Sequence, residues 1–251
     1  MDKPDFKKVE NFVKGLEKYN RYTGAFVYGS VARGEANNKS DLDIKVIVNG
    51  DYCENINNPS IDGIALNITF TSFSQIEKRL NDIAKKGEHI PMLAESTILF
   101  DKTGKLKELK ENLLNVTPKK LTEKEYHMTQ LIIFNAENKI NRALADDDDL
   151  SAQLGMHISL NDLLKIHYRI SGRWYVSDKR LLSNLMTWDK DLSRQLCSFL
   201  NETEIKEKYK IWVKMIDYIL EPIGGKQDIK EINCNCSSCN NDLKTLLGLC
   251  Q

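Results

Sequence analysis

Two carboxylates one residue apart, at the head of an apolar run, constrain this chain more than any other feature: Asp41-Leu42-Asp43-Ile44-Lys45-Val46-Ile47-Val48. Such a run reads as a strand. Successive side chains on a strand point to opposite faces, so Asp41 and Asp43 project together while Leu42 and Ile44 face the other way. Upstream, Thr23 to Tyr28 is a second β-branched and aromatic run, and it stops at Gly29-Ser30. Glycine there permits a sharp turn and a close approach of backbone to ligand. Ten residues separate Ser30 from Asp41. The pattern predicts a strand, a tight turn, a short connection, and a second strand that opens on a paired negative charge.

Like charges at that separation disfavour each other's ionised forms, and a cation between them removes the conflict. Few oxygen ligands on a rigid element suit Mg²⁺, which keeps several waters and shares substrate phosphates. The Gly29-Ser30 turn offers backbone N–H groups and a hydroxyl to phosphate oxygens. Arg33 adds a guanidinium that can pair with them bidentately. Together these parts suit a nucleoside triphosphate and its metal.

The string Gly29-Ser30-Val31-Ala32-Arg33-Gly34-Glu35, followed by Ser40-Asp41-Leu42-Asp43-Ile44, resembles the polymerase β-like nucleotidyltransferase superfamily. Within it, the string is similar to the small bacterial branch of antibiotic and minimal nucleotidyltransferases. The resemblance implies an α+β chain, with a nucleotidyltransferase-fold mixed sheet flanked by helices and then an all-α helical bundle. It implies transfer of a nucleoside monophosphate, AMP from ATP in the first instance, with release of pyrophosphate. The acceptor would be a hydroxyl of a small molecule such as an antibiotic, or of a protein. Asp41 and Asp43 would be the catalytic, Mg²⁺-holding pair, and Gly29, Ser30, Arg33 and Ser40 would bind the nucleotide. The family carries a third acid on a further strand, and the matching position here is Asn67, between Leu66 and Ile68. An amide offers a carbonyl oxygen but brings no charge and cannot act as a base. The alternative is therefore a nucleotide-binding regulatory or antitoxin-like module with weak or no catalysis. Asp62 and Glu95 are the candidate bases.

Lys+Arg and Asp+Glu are both 36, so the formal net charge is zero. Proteins that track a nucleic-acid backbone show a basic excess or stripe, so no nucleic-acid partner is expected. No apolar run approaches the roughly 18 residues of a membrane span, and Met1 to Lys8 lacks the apolar core of a secretory signal. A cytoplasmic protein without a membrane partner is the expectation.

The first part should hold a helix over Pro4 to Asn20, a polar loop over 51–60, and a strand over 64–70. A helix capped by Ser72 and running to about Lys86 follows. Next come a strand over 96–100 and a helix over 105–114. Strand signals fade after Val116 to Lys120, which places domains at 1–116 and 117–228 with a cysteine-rich tail at 229–251. Thr122 with Glu125 reads as a capping box opening a helix to Ala145. Asp146 to Asp149 reads as a solvated turn that caps the next helix. Helices are then expected over 151–170, 178–187, 189–200 and 203–220.

The segment Ser171 to Lys179 resembles a Gly-Arg-Trp…Lys stretch in the helical part of some family members. There Arg173 or Lys179 would reach toward the triphosphate; the alternative is a pair of snorkelling surface cations around Trp174. The four histidines read as structural. Cys234, Cys236, Cys239 and Cys250 could hold zinc or an iron–sulfur cluster. Their spacing departs from paired Cys-x₂-Cys, so reduced thiols in a tail are the plainer reading.

Overall fold

The computed structural model describes residues 6–50 and 56–226. Two compact units divide the chain. One holds the residues up to Lys119 together with Trp174–Val176; the other holds Lys120–Arg173 and the chain from Ser177 onward. The tail at 229–251, with Cys234, Cys236, Cys239 and Cys250, lies outside the described residues.

The first unit is a mixed sheet between helices. Its strands are β1 (Tyr22–Tyr28), β2 (Leu42–Val48), β3 (Ile56–Asn57), β4 (Ser60–Ile61), β5 (Ile64–Ser72) and β6 (Thr97–Asp101). Their order is β3-β5-β2-β1-β6, with β4 paired to β5 off that path. β1 runs antiparallel to β2 and β6, and β2 runs parallel to β5. The polar stretch at 51–60 is therefore not all loop, because β3 and β4 both pair antiparallel with β5. Two-residue strands are too short to show an alternation in sequence. Asp62 and Gly63, both at positive φ, make the two-residue turn between β4 and β5.

β2 is central and buried along nearly its whole length. Its even positions, Leu42, Ile44 and Val46, join Ala25, Val27 and Leu66 in a core under α1 (Phe6–Lys14), which contributes Val9 and Val13. α1 gives way at Gly15 to a 3-10 turn over Gly15–Lys18, so the helix is shorter than the Pro4 to Asn20 expectation. Glycine costs an α-helix about 1 kcal/mol against alanine. The odd side of the sheet carries a second core. Phe26 and Ile47 pack there with Ile76 and Leu80 of α3 (Phe73–Lys86) and Leu106, Leu109 and Leu113 of α4 (Lys105–Leu114). Ser72 caps α3 in a full capping box with Gln75.

Trp174–Val176 belongs to this unit through Tyr175. Its N–H donates to Glu88 O at 3.0 Å, its carbonyl lies 3.2 Å from His89 Nδ1, and the two rings meet edge to face.

The second unit is helical: α5 (Glu123–Ala145), α6 (Asp149–Ile170), α7 (Asp178–Trp188), α8 (Lys190–Asn201) and α9 (Ile205–Leu220). Thr122 and Glu125 form the capping box at the head of α5, and Asp148 caps α6. Trp212 is fully buried and donates to Ser159 Oγ at 3.1 Å. His167 of α6 is buried too. Its Nε2 lies 2.7 Å from Asp189 Oδ2, its ring stacks on Trp188, and its Nδ1 has no partner. Burial pushes the His167 pKa down, against the upward pull of Asp189. Asp189 also caps α8 and accepts from Tyr218 of α9 at 3.0 Å. This network ties four helices together and fits the structural reading of His167. No helix among the described residues is long and apolar enough to cross a membrane.

Candidate active site

The alternation that sorts β2 into two faces also builds the site. Asp43 and Lys45 lie on the same side as Ile47, toward α3 and α4. That side is apolar at the end where the helices cover it. It turns polar at the opposite end, where β1 finishes and β2 and β5 begin. Parallel pairing sets Asn67 of β5 directly beside Asp43, and antiparallel pairing sets Tyr28 of β1 on its other flank.

Asp41, Asp43 and Asn67 are all half-buried, and the amide joins them. Asn67 Nδ2 donates to Asp41 Oδ2 at 2.5 Å and to Asp43 Oδ1 at 3.1 Å. Two carboxylates, Asp41 just before β2 and Asp43 within it, thus converge on a single position. Gly29 closes the site from the β1 side. It sits at φ +75°, and a Cβ added there would run into the Asp43 carboxylate. The turn that follows is a single helical one, α2 (Gly29–Ala32), which continues with Arg33 N donating to Gly29 O and Glu35 N to Ser30 O.

Among the expected nucleotide ligands, Gly29 and Ser30 stand at this turn. Arg33 follows it but is engaged by acids. Its Nε donates to Glu35 at 2.9 Å, and its guanidinium lies 3.7 Å from Glu95. Ser40 closes the approach to β2, its hydroxyl accepting from Asn37 N at 2.9 Å. Of the two candidate bases, Glu95 is therefore beside Arg33, whereas Asp62 sits exposed in the β4–β5 turn and pairs with Lys8 of α1. Lys179 is exposed in the first turn of α7, in the second unit. Arg173 lies over the Trp188 ring, 4.6 Å from its centroid.

Lys45 escaped the sequence reading. It is 3% exposed and lies one step behind Asp43 on the same face. A charged residue inside an apolar run, in phase with two acids, was the available signal. The second oversight was the donor role of Asn67, which depends on a partner strand.

A divalent cation fits the pair. The two carboxylates already direct oxygens at one shared hydrogen-bond donor, and one or two carboxylate oxygens completed by waters and phosphates are what Mg²⁺ commonly takes. Among the described residues no group of three or more His, Cys, Asp or Glu comes together, so Asp41 and Asp43 have no third acid beside them that could share a cation.

Residues 10–102 match the family described as Polymerase beta, Nucleotidyltransferase, and residues 84–180 match a domain of unknown function, DUF4037. No curated protein matches the chain. Among solved structures, it is similar to a nucleotidyltransferase-like protein from Exiguobacterium sibiricum 255-15. That likeness has 11% identity and a TM-score of 0.46, covering 86% of this chain and 73% of the other.

Proposed function

We propose a reaction for a chain whose residues 10–102 match the Polymerase beta, Nucleotidyltransferase family: transfer of a nucleoside monophosphate from a nucleoside triphosphate, with ATP as the first candidate, to an acceptor hydroxyl. The acceptor oxygen attacks the α-phosphorus. The bond between that phosphorus and the bridging oxygen to the β-phosphate breaks, and pyrophosphate leaves with the electron pair. The hydroxyl proton passes to a base or to solvent. The observation that carries the proposal is the convergence of Asp41 and Asp43 beside the Gly29 turn.

Reactions of this class need positioning and charge neutralisation more than covalent help. Asp41 and Asp43 would hold the divalent cation, which offsets negative charge on the phosphates and on the leaving pyrophosphate. Ser30 and the backbone of the turn would receive β- and γ-phosphate oxygens. Arg33 would exchange Glu35 or Glu95 for phosphate, a charge-assisted contact of the same kind. Glu95 is the candidate base with a place beside this turn, through Arg33.

Asn67 favours a second reading, in which the domain binds nucleotide and turns it over slowly or not at all. A positioned general base is typically worth 10²–10⁴ in rate, and Asn67 cannot be one. Two measurements separate the readings. Calorimetry of ATP in Mg²⁺ should show binding that Asp41→Ala/Asp43→Ala abolishes; equal affinity in both proteins would exclude this site. Pyrophosphate release with panels of aminoglycosides, lincosamides and candidate proteins should then find an acceptor. ATP binding without release across the panel would support the binding module.

A further inference from the structure

The carboxylates of the site share one donor. An ionised carboxylate only accepts, so the part of Asn67 turned toward Asp41 and Asp43 must be its NH₂ and not its carbonyl oxygen. Both N–H bonds are used, and the positive end of the amide dipole sits where two negative charges meet. Lys45, 3% exposed, follows Asp43 on the same face of β2. No third acid joins the pair among the described residues.

We infer that Asn67 stands, in the nucleotide-free protein, where a cation stands in the working site, so that the free protein takes up a divalent cation only together with the phosphates of a nucleotide. The inference rests on reading the pair as a nucleotide–metal site. To admit a cation, the amide must withdraw two charge-assisted hydrogen bonds and turn its oxygen inward. It then offers a neutral ligand where an acid would offer charge. Two carboxylates and one amide oxygen make a weak site by themselves. Phosphate oxygens supply the missing negative ligands, as Mg²⁺ sites commonly arrange. Asn67 is thus a positioning residue: it keeps two like charges in register without a metal. A carboxylate at 67 would leave three mutually repelling charges and make the free protein depend on cations.

The test uses Mn²⁺ as the probe and the full-length protein, with bound and free ion counted by electron paramagnetic resonance. Thermal midpoints are read in Mn²⁺ and in chelator. The unsubstituted protein should leave sub-millimolar Mn²⁺ free and melt at the same temperature in both buffers. With a non-hydrolysable ATP analogue it should retain Mn²⁺. Asn67→Asp should bind Mn²⁺ without nucleotide at least about tenfold more tightly, as one extra charge at contact distance implies. Its midpoint should rise on adding the ion. Asn67→Ala removes both donors without adding a charge and should also tighten Mn²⁺, which keeps the test open if the aspartate variant does not fold. Stoichiometric Mn²⁺ on the unsubstituted, nucleotide-free protein, lost in Asp41→Ala/Asp43→Ala, would overturn the inference and leave the nucleotide–metal reading standing. So would unchanged Mn²⁺ affinity in both Asn67 variants. Failure to retain Mn²⁺ even with the analogue would remove the reading beneath it.

Discussion

Gly29 decides where Asp43 can be. Its φ of +75° is left-handed, and the space that a side chain would fill is taken by the Asp43 carboxylate. Gly29→Ala should lose about 1–2 kcal/mol to the backbone alone. It should also displace Asp43 and weaken ATP binding in Mg²⁺ by more than the tenfold that 1.4 kcal/mol represents. Gly34 is the control. It has φ +73° with nothing within 4 Å of its added Cβ, so Gly34→Ala should show the stability loss in denaturant titration while calorimetry finds ATP affinity kept. If both variants lose affinity equally, the contact with Asp43 is not what the glycine serves. Gly29, Asp41 and Asp43 were legible in sequence because their roles follow from spacing along one chain segment. Lys45 and the donor face of Asn67 were not. A lysine in an apolar run has the same letter on either face, and the amide's orientation is set by acids 24 and 26 positions away in the chain.

Helix ends were legible for the same local reason. Ser72 with Gln75 and Thr122 with Glu125 each write a complete cap within four residues, and both caps form. The two-residue spans of β3 and β4 were illegible, since they become strands only by pairing with β5. The cap on α5 also extends beyond its own helix. Glu125 accepts from Thr122 and receives Arg169 of α6 at 2.9 Å, and these contacts lower its pKa from 4.5 to about 2, the backbone N–H of Thr122 contributing most. A carboxyl whose pKa falls on folding adds stability above its unfolded pKa and loses it as pH drops through the folded value. The contribution of Glu125 should therefore be complete above about pH 4.5 and fade toward pH 2. Glu125→Gln should lower the urea midpoint at neutral pH and converge with the unsubstituted protein at the acid end. A gap that persists unchanged to pH 2 would assign the loss to packing.

The first unit is not finished when the chain leaves it at Lys119. Lys119 N donates to Gly87 O at 3.0 Å and Tyr175 N donates to Glu88 O at 3.0 Å, so two points 56 positions apart in number meet on neighbouring residues. Gly87, at φ +64°, leaves room for the Lys119 backbone that a side chain would obstruct. Tyr175 is buried in this joint at 4% exposure. Tyr175→Ala should cost a few kcal/mol, in the range of about 3–5 for truncating large buried aromatics. A chain ending at Lys119 should show a comparable loss relative to the first unit within the full protein, read by hydrogen exchange at the β1–β2 amides. Equal protection in the short chain would mean that residues 174–176 add nothing. Cutting the sequence where the strands stop would thus sever a part that the sheet domain owns. In the currency of recombination, residues 120–173 leave the sheet domain and return to it at one doorway, but His167 and Ser159 bind them to α7, α8 and α9, so they trade only together with residues 177–226. A graft that replaced everything after Lys119 would have to bring its own Tyr175.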